Sequence, residues 1–288
     1  MCKSIETFAN ITSKAFSRAI LTDLAKNNGS EKLDHIIRKL NPSERNLRLT
    51  YGEFYTYMYK QLITNYRNEY VYKNALASKI VTGRHKYRDV SYFSEFRAWD
   101  VIADVVIVNG TTTVYEIKTE YDTFYRLQSQ IETYQQIFDN VCVVIPESKL
   151  KALEESIPEN IGIVVLTDNY TLHTHRSPLS NIHNFNHEKI FSCLRKSEYE
   201  DILNRKLGYV DNTKSAYRRR DAFNQFLSLD KKIIHQEFLN ALKARQFDAK
   251  TKEIIKSMPS CLNSLNMTMK FSIEDFKNLE KVMNRYIP

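Results

Sequence analysis

Residues 101–118 read VIADVVIVNGTTTVYEIK. Two runs rich in β-branched residues flank Asn109-Gly110, and both positions of such a pair tolerate positive φ, so a β-hairpin is expected. Side chains alternate between the faces of a strand, which puts Glu116 and Lys118 on one face. The hairpin lays that face beside the strand carrying Asp104. Asp104 itself sits among Val and Ile, where a carboxylate is costly to desolvate unless a positive group meets it. A metal ion, an arginine or a lysine would serve.

Reading outward, SYFSEFRA (91–98) is a further strand, and NEYVYKNALASKIVTG (68–83) is a helix stopped by Gly83. DTFYRLQSQIETYQQIF (122–138) has helical period, NVCVVI (140–145) is a short buried strand, and ESKLKALEES (147–156) is another helix. IGIVVLT and YTLHTH add two strands around an Asp168-Asn169 turn. The fold class is α/β, with core order α-β-β-β-α-β and a mixed central sheet flanked by helices. Residues 1–66 form a helical N-terminal extension, with a capping turn at NPSERN (41–46); 67–176 form the core; 187–288 form a basic helical C-terminal region.

The 288 residues are 42% hydrophobic and 26% charged, as in an ordinary globular protein. No apolar run approaches the roughly 20 residues that span a bilayer, and the N-terminus lacks a signal peptide's apolar stretch; a cytoplasmic protein without membrane attachment is expected. Cys2, Cys142, Cys193 and Cys261 form no CxxC pair, which disfavours a zinc cage or a disulfide framework. Only 6 glycines occur, where average usage gives roughly 20, so a Gly-rich phosphate loop is excluded. A net charge of +8 and a pI near 9.1 favour a polyanionic partner.

Two carboxylates and a lysine on neighbouring strands suit phosphodiester hydrolysis. Asp104 and Glu116, joined by the Ile117 carbonyl, would hold Mg²⁺ or Mn²⁺ by hard oxygen ligands. The ion would polarise the phosphate and activate water, with Lys118 acting at that water. The D…ExK pattern within this order of elements resembles the PD-(D/E)XK nuclease superfamily over residues 67 to 146, with Ala103 where the family has its leading proline. Gln130 and Tyr134 form a Q-x-x-x-Y pair on one helix face, similar to the RecB-like and phage-type exonuclease branches. The stretch 115–145 as a whole resembles a small bacterial group of PD-(D/E)XK nuclease-like proteins.

The resemblance implies a restriction-endonuclease-like core and a Mg²⁺- or Mn²⁺-dependent deoxyribonuclease, with defence against phages or service to a mobile element as its setting. It also implies a motif region that includes Asp122 and Arg126, with Arg126 as a phosphate clamp, and a helix-borne acid. Glu69 is the candidate for that acid, Lys73 stands one turn later where it would meet the DNA backbone or neutralise Glu69, and Glu95 is the rival acid beside Asp104. Arg218 and Arg219, on an amphipathic helix within TKSAYRRRDAFNQFL (213–227), are candidate DNA contacts. That helix carries Ala216, Phe223, Phe226 and Leu227 on one face.

Blander readings stand beside these. Asp104 could be a structural acid paired with Lys118; Glu69 and Lys73 could be an ordinary helix pair; Tyr134 could be core. The tyrosines of 51–72 could stack on bases or pack between helices. His173, His175, His183 and His187 lack a convincing first shell for zinc. The competing functional reading is a nuclease-fold module that binds DNA or regulates without turnover, and a third has the helical ends docking a partner protein or a second copy.

Overall fold

The computed structural model describes residues 11–40, 48–79, 90–209 and 217–287. Gly83, the NPSERN turn, Cys2, Lys214 and Ala216 lie outside them. In chain order the elements are α1 (Arg18–Asn27), α2 (Glu31–Lys39), α3 (Tyr51–Asn65), α4 (Glu69–Leu76), β1 (Ser91–Ala98), β2 (Val101–Val108), β3 (Thr112–Ile117), α5 (Leu127–Gln135), β4 (Asn140–Pro146), α6 (Leu150–Glu154), β5 (Gly162–Leu166) and β6 (Leu172–Arg176). A helical run follows: α7 (His187–Cys193), α8 (Lys196–Leu207), α9 (Arg218–Phe226), α10 (Lys231–Ala244), α11 (Ala249–Ser257), α12 (Asn263–Asn266) and α13 (Ile273–Met283).

The protein is mixed α/β, with a six-stranded sheet in which β1 to β6 lie in sequence order. β1, β2 and β3 are antiparallel neighbours, while β3 and β4 are parallel. That switch needs a crossover, and α5 supplies it. The order α4-β1-β2-β3-α5-β4 is the one read from the sequence.

Two compact units interleave the three zones read along the chain. The first gathers 1–88, 166–172 and 247–288; the second gathers 89–165 and 173–246. In the first unit, α1 packs on α13, which joins helices about 250 residues apart in sequence. Ser17, Ser30, Thr50, Asn68 and Ser272 cap its helices by accepting backbone N–H groups, and Thr50–Glu53 and Ser272–Asp275 form capping boxes. Tyr51, Tyr55, Tyr59 and Tyr72 are buried, so packing is what these tyrosines do. Tyr59 meets Phe16, Tyr70 and Tyr170, with its hydroxyl 2.5 Å from that of Tyr170. The Arg67 guanidinium holds the same turn by donating to the Thr167 carbonyl at 2.9 Å.

In the second unit, α5 packs on β4, α7 on β1 and α10 on β2. Its core joins Val106, Val108, Val114, Ile131, Phe138, Val143, Ile163, Phe226 and Phe238. The hairpin forms as expected, but only Gly110 adopts positive φ (+72°) in the three-residue connection from Val108 to Thr112. Ala222 and Phe226 are the buried face of α9, whereas Leu227 is exposed and Phe223 is half-buried. Among the described residues no helix is long and apolar enough to cross a membrane.

Candidate functional site

The site is built where the β2–β3 ladder stops. Its last pair is Val105 with Tyr115, and one step further the register sets Asp104 opposite Glu116. There a side chain replaces the ladder: Asp104 Oδ2 accepts the Ile117 N–H at 2.7 Å. On its other flank, the β1–β2 ladder runs through Ser94–Val105 and Phe96–Ala103 but omits the intervening pair, Glu95 with Asp104. Glu95 has φ of +54°, a left-handed conformation disfavoured for any residue with a Cβ and unusual inside a strand. Asp104 thus sits at a local opening of the sheet on both sides.

Glu116 is 2% exposed, so its carboxylate must be fully met by donors. Lys118 Nζ donates to Oε1 at 2.7 Å and Gln130 Nε2 donates to the same oxygen at 2.6 Å. Tyr134 OH donates to Oε2 at 2.7 Å and lies 3.2 Å from the Ile102 carbonyl. Lys118 also donates to Gln130 Oε1 at 3.1 Å, which closes a ring of three side chains. The two-residue alternation of β3 brings Lys118 to the face of Glu116, and the one-turn spacing of α5 brings Gln130 and Tyr134 together. The Lys118 N–H in turn donates to the Val144 carbonyl of β4 at 2.9 Å, anchoring the end of β3.

Burial pushes the Tyr134 phenol well above its ordinary range, and the Glu116 carboxylate and then Asp104 push it further. Both acids therefore act on one hydroxyl, which keeps its proton and serves as a donor.

Asp104, Glu116, Lys118, Gln130 and Tyr134 thus converge, together with the Ile117 main chain. Glu69 and Lys73 belong to the first unit, where they form an i, i+4 ion pair at 2.5 Å on α4. Arg218 and Arg219 begin α9, with the Arg219 guanidinium 5.3 Å above the Phe191 ring. His175 pairs with Glu154 at 2.8 Å and His187 meets the Leu229 carbonyl at 2.9 Å. Among the described residues no group of three His, Cys, Asp or Glu side chains is placed to hold a metal ion. Two carboxylates and the Ile117 carbonyl are still a donor set of the kind Mg²⁺ accepts, since that ion keeps several waters.

Residues 122–126 are not helical, in contrast to the periodic reading of 122–138. Asp122 Oδ2 accepts from the Thr119 N–H (2.8 Å) and the Thr119 hydroxyl (2.7 Å), a local arrangement that competes with the helix. Lys149 braces this loop: its ammonium donates to the Thr119 carbonyl at 2.7 Å and to the Asp122 carbonyl, and lies 5.6 Å above the Phe124 ring. No local sequence signal announces Lys149, because its partners stand far earlier in the chain. A second polar cluster was equally silent. Asp139, just before β4, accepts from Thr111 and Ser180 at 2.5 Å each, with His235 Nε2 4.0 Å away. It ties the hairpin turn to the segment around Ser180, and the Thr111 hydroxyl lies 3.5 Å from His235 Nε2 of α10.

Among known proteins, the family model for bacteriophage P4 protein cII matches residues 63–279. Protein cII of Enterobacteria phage P4 is 25% identical over 111 residues, which cover 37% of this chain and 41% of that protein. The chain thus matches less than half the length of this relative. A solved protein of unknown function from Silicibacter pomeroyi, SPO1766, aligns over 48% of this chain and 94% of its own, at 16% identity and a TM-score of 0.31. The family match extends over both compact units and across every residue of the acid–lysine cluster: the chain belongs to the bacteriophage P4 protein cII family.

Proposed function

We propose that this protein is a metal-dependent nuclease of the PD-(D/E)XK type, with a restriction-endonuclease-like core, that hydrolyses DNA phosphodiesters. The observation that carries the reading is the convergence of Asp104, Glu116, Lys118, Gln130 and Tyr134 at the open end of the β2–β3 ladder. Asp104, Glu116 and the Ile117 carbonyl would hold Mg²⁺ or Mn²⁺, which on binding would polarise the scissile phosphate and lower the pKa of an attacking water. Lys118 brings a positive charge to the same place and can steady the negative charge that grows as the phosphorus–oxygen bond breaks. Gln130 orients both Lys118 and Glu116, and Tyr134 fixes the Glu116 carboxylate from its other oxygen. Arg126, exposed just before α5, is the candidate clamp for a backbone phosphate. The matched relative is a phage protein, which accords with service to, or defence against, a mobile element.

The test is cleavage of linear and circular DNA by purified protein with Mg²⁺, Mn²⁺ or EDTA, beside Asp104→Asn and Lys118→Ala. Cleavage that needs the metal and vanishes in both variants supports the proposal; wild-type cleavage that survives unchanged in both removes it.

One observation favours a second reading, a nuclease-fold module without turnover that binds nucleic acid or regulates. Both oxygens of Glu116 are already satisfied by Lys118, Gln130 and Tyr134, and no third acid joins the pair among the described residues. Calorimetry separates the two: salt-sensitive DNA binding without millimolar Mn²⁺ binding would favour the module.

A further inference from the structure

Of the three aromatic rings in the loop 119–126, Phe124 packs against the core beneath Lys149, while the two tyrosines face outward. Tyr125 is 91% exposed and Tyr121 is 62% exposed. Large rings left in water contribute little to a core, and a chain that exposes two within five residues forgoes their burial. Yet the loop is held firmly. Thr119 and Asp122 close it locally, and Lys149 reaches in from beyond β4 to grip two of its carbonyls. Its ends are fixed by the candidate site itself, since the loop starts one residue after Lys118 and leads into the helix bearing Gln130 and Tyr134. A braced loop that presents tyrosines at the edge of such a site is preorganised for contact rather than for packing.

We propose that this loop is a stacking platform for single-stranded nucleic acid, with Tyr121 and Tyr125 receiving unpaired bases and Arg126 meeting the phosphate between them. In a duplex each base face is covered by its neighbours, so only an unpaired strand, a frayed end or a flap offers the flat surface these rings accept. The protein's net charge of +8 supplies the long-range attraction for a polyanion. The inference rests on the nucleic-acid reading of the adjacent site, and it narrows the substrate class to strands with unpaired ends.

The experiment measures binding without turnover. Full-length protein in EDTA is titrated into a 5′-fluorescein-labelled dT12 oligonucleotide and into a blunt hairpin duplex, and anisotropy is followed at several salt concentrations. Wild type is expected to prefer the single strand. Stacking is worth about fivefold or more per ring, so the double variant Tyr121→Ala/Tyr125→Ala is expected to lose about 25-fold or more in single-strand affinity. Tyr121→Phe/Tyr125→Phe retains the rings and should retain most of the affinity. Arg126→Ala should lower the salt slope by about 0.7.

Because both tyrosines are exposed, circular dichroism should confirm that the alanine variant folds. Equal single-strand affinity in wild type and the folded double-alanine protein overturns the proposal. So does a wild-type preference for blunt duplex, or binding to neither oligonucleotide. Tyrosine-dependent binding with no metal-dependent cleavage would sink the nuclease reading alone. Cleavage with binding indifferent to the tyrosines would sink this inference alone.

Discussion

Replacing Lys118 by methionine keeps most of the side chain's length and volume but removes the ammonium. In the native protein that group is one of three donors to a carboxylate that is 2% exposed, and the Lys118 side chain is itself 12% exposed. Removing one partner of a buried pair costs about 3–5 kcal/mol, because the other charge stays behind unpaired. Gln130 and Tyr134 still donate to Glu116, so the loss should fall at the lower end, about 3 kcal/mol. For a chain of this size that lowers Tm by about 6–12 °C.

The single tryptophan, Trp99, lies in the second unit, so its fluorescence during urea titration reports the unit that contains the site. A divalent ion can replace the missing charge. At a hundredfold excess over its dissociation constant, Mn²⁺ should restore about 2.7 kcal/mol to the variant. Wild type should gain less, because its ammonium already occupies the carboxylate. An unfolding midpoint equal to that of wild type would refute the buried-pair argument. A midpoint in Lys118→Met that Mn²⁺ leaves where EDTA leaves it would refute the claim that these acids form a cation site.

Tyr134→Phe removes the donor to Glu116 Oε2 and should cost about 1–3 kcal/mol by the same fluorescence assay. The raised pKa of Tyr134 means that its stabilisation is fully present below pH 10 and declines as pH climbs beyond 10. The phenylalanine variant should therefore show a shallower alkaline loss of stability than wild type. On the acid side, burial opposes ionisation of Glu237, and its bonds to Arg205 (2.7 Å) and Lys206 (3.0 Å) outweigh that, holding the carboxyl below 4.5. Its stabilisation is present above pH 4.5 and fades as pH falls through the lowered value, so Glu237→Gln should narrow the gap between the Tm values at pH 6 and pH 3. Gly110 has open space where a Cβ would sit but φ of +72°, so Gly110→Ala should cost about 1 kcal/mol through the backbone alone, measurable by urea denaturation.

The hairpin and its neighbours were legible because their signals are local. Asn109-Gly110 between two β-branched runs marks the turn, a period of two pairs Glu116 with Lys118, and one helical turn pairs Gln130 with Tyr134. What these residues do to one another was less legible. The bland reading paired Lys118 with Asp104; the structure gives Lys118 to Glu116 and the Ile117 amide to Asp104. That choice depends on where the ladders open on either side of Asp104, and neither the end of the β2–β3 pairing nor the left-handed backbone of Glu95 is announced by local sequence. The helical period of 122–138 misled at its start because Lys149, distant in sequence, makes the loop competitive. From sequence alone the tyrosines of α3 admit base stacking or packing between helices; Tyr51, Tyr55 and Tyr59 are buried, the last two against Phe16, so packing decides.

The interleaving of the two units bears on the order in which a growing chain can fold. The sheet-bearing unit has all of its residues once position 246 has left the ribosome, whereas α1 must wait for α13 before its apolar face is covered. The α1 segment, made before the sheet, is therefore settled after it, contrary to the usual N-to-C order of domain folding. A stop codon placed shortly after residue 246 would leave Leu21 and Leu24 without their partner helix and present the chaperone machinery with a sticky N-terminal segment attached to an already complete sheet.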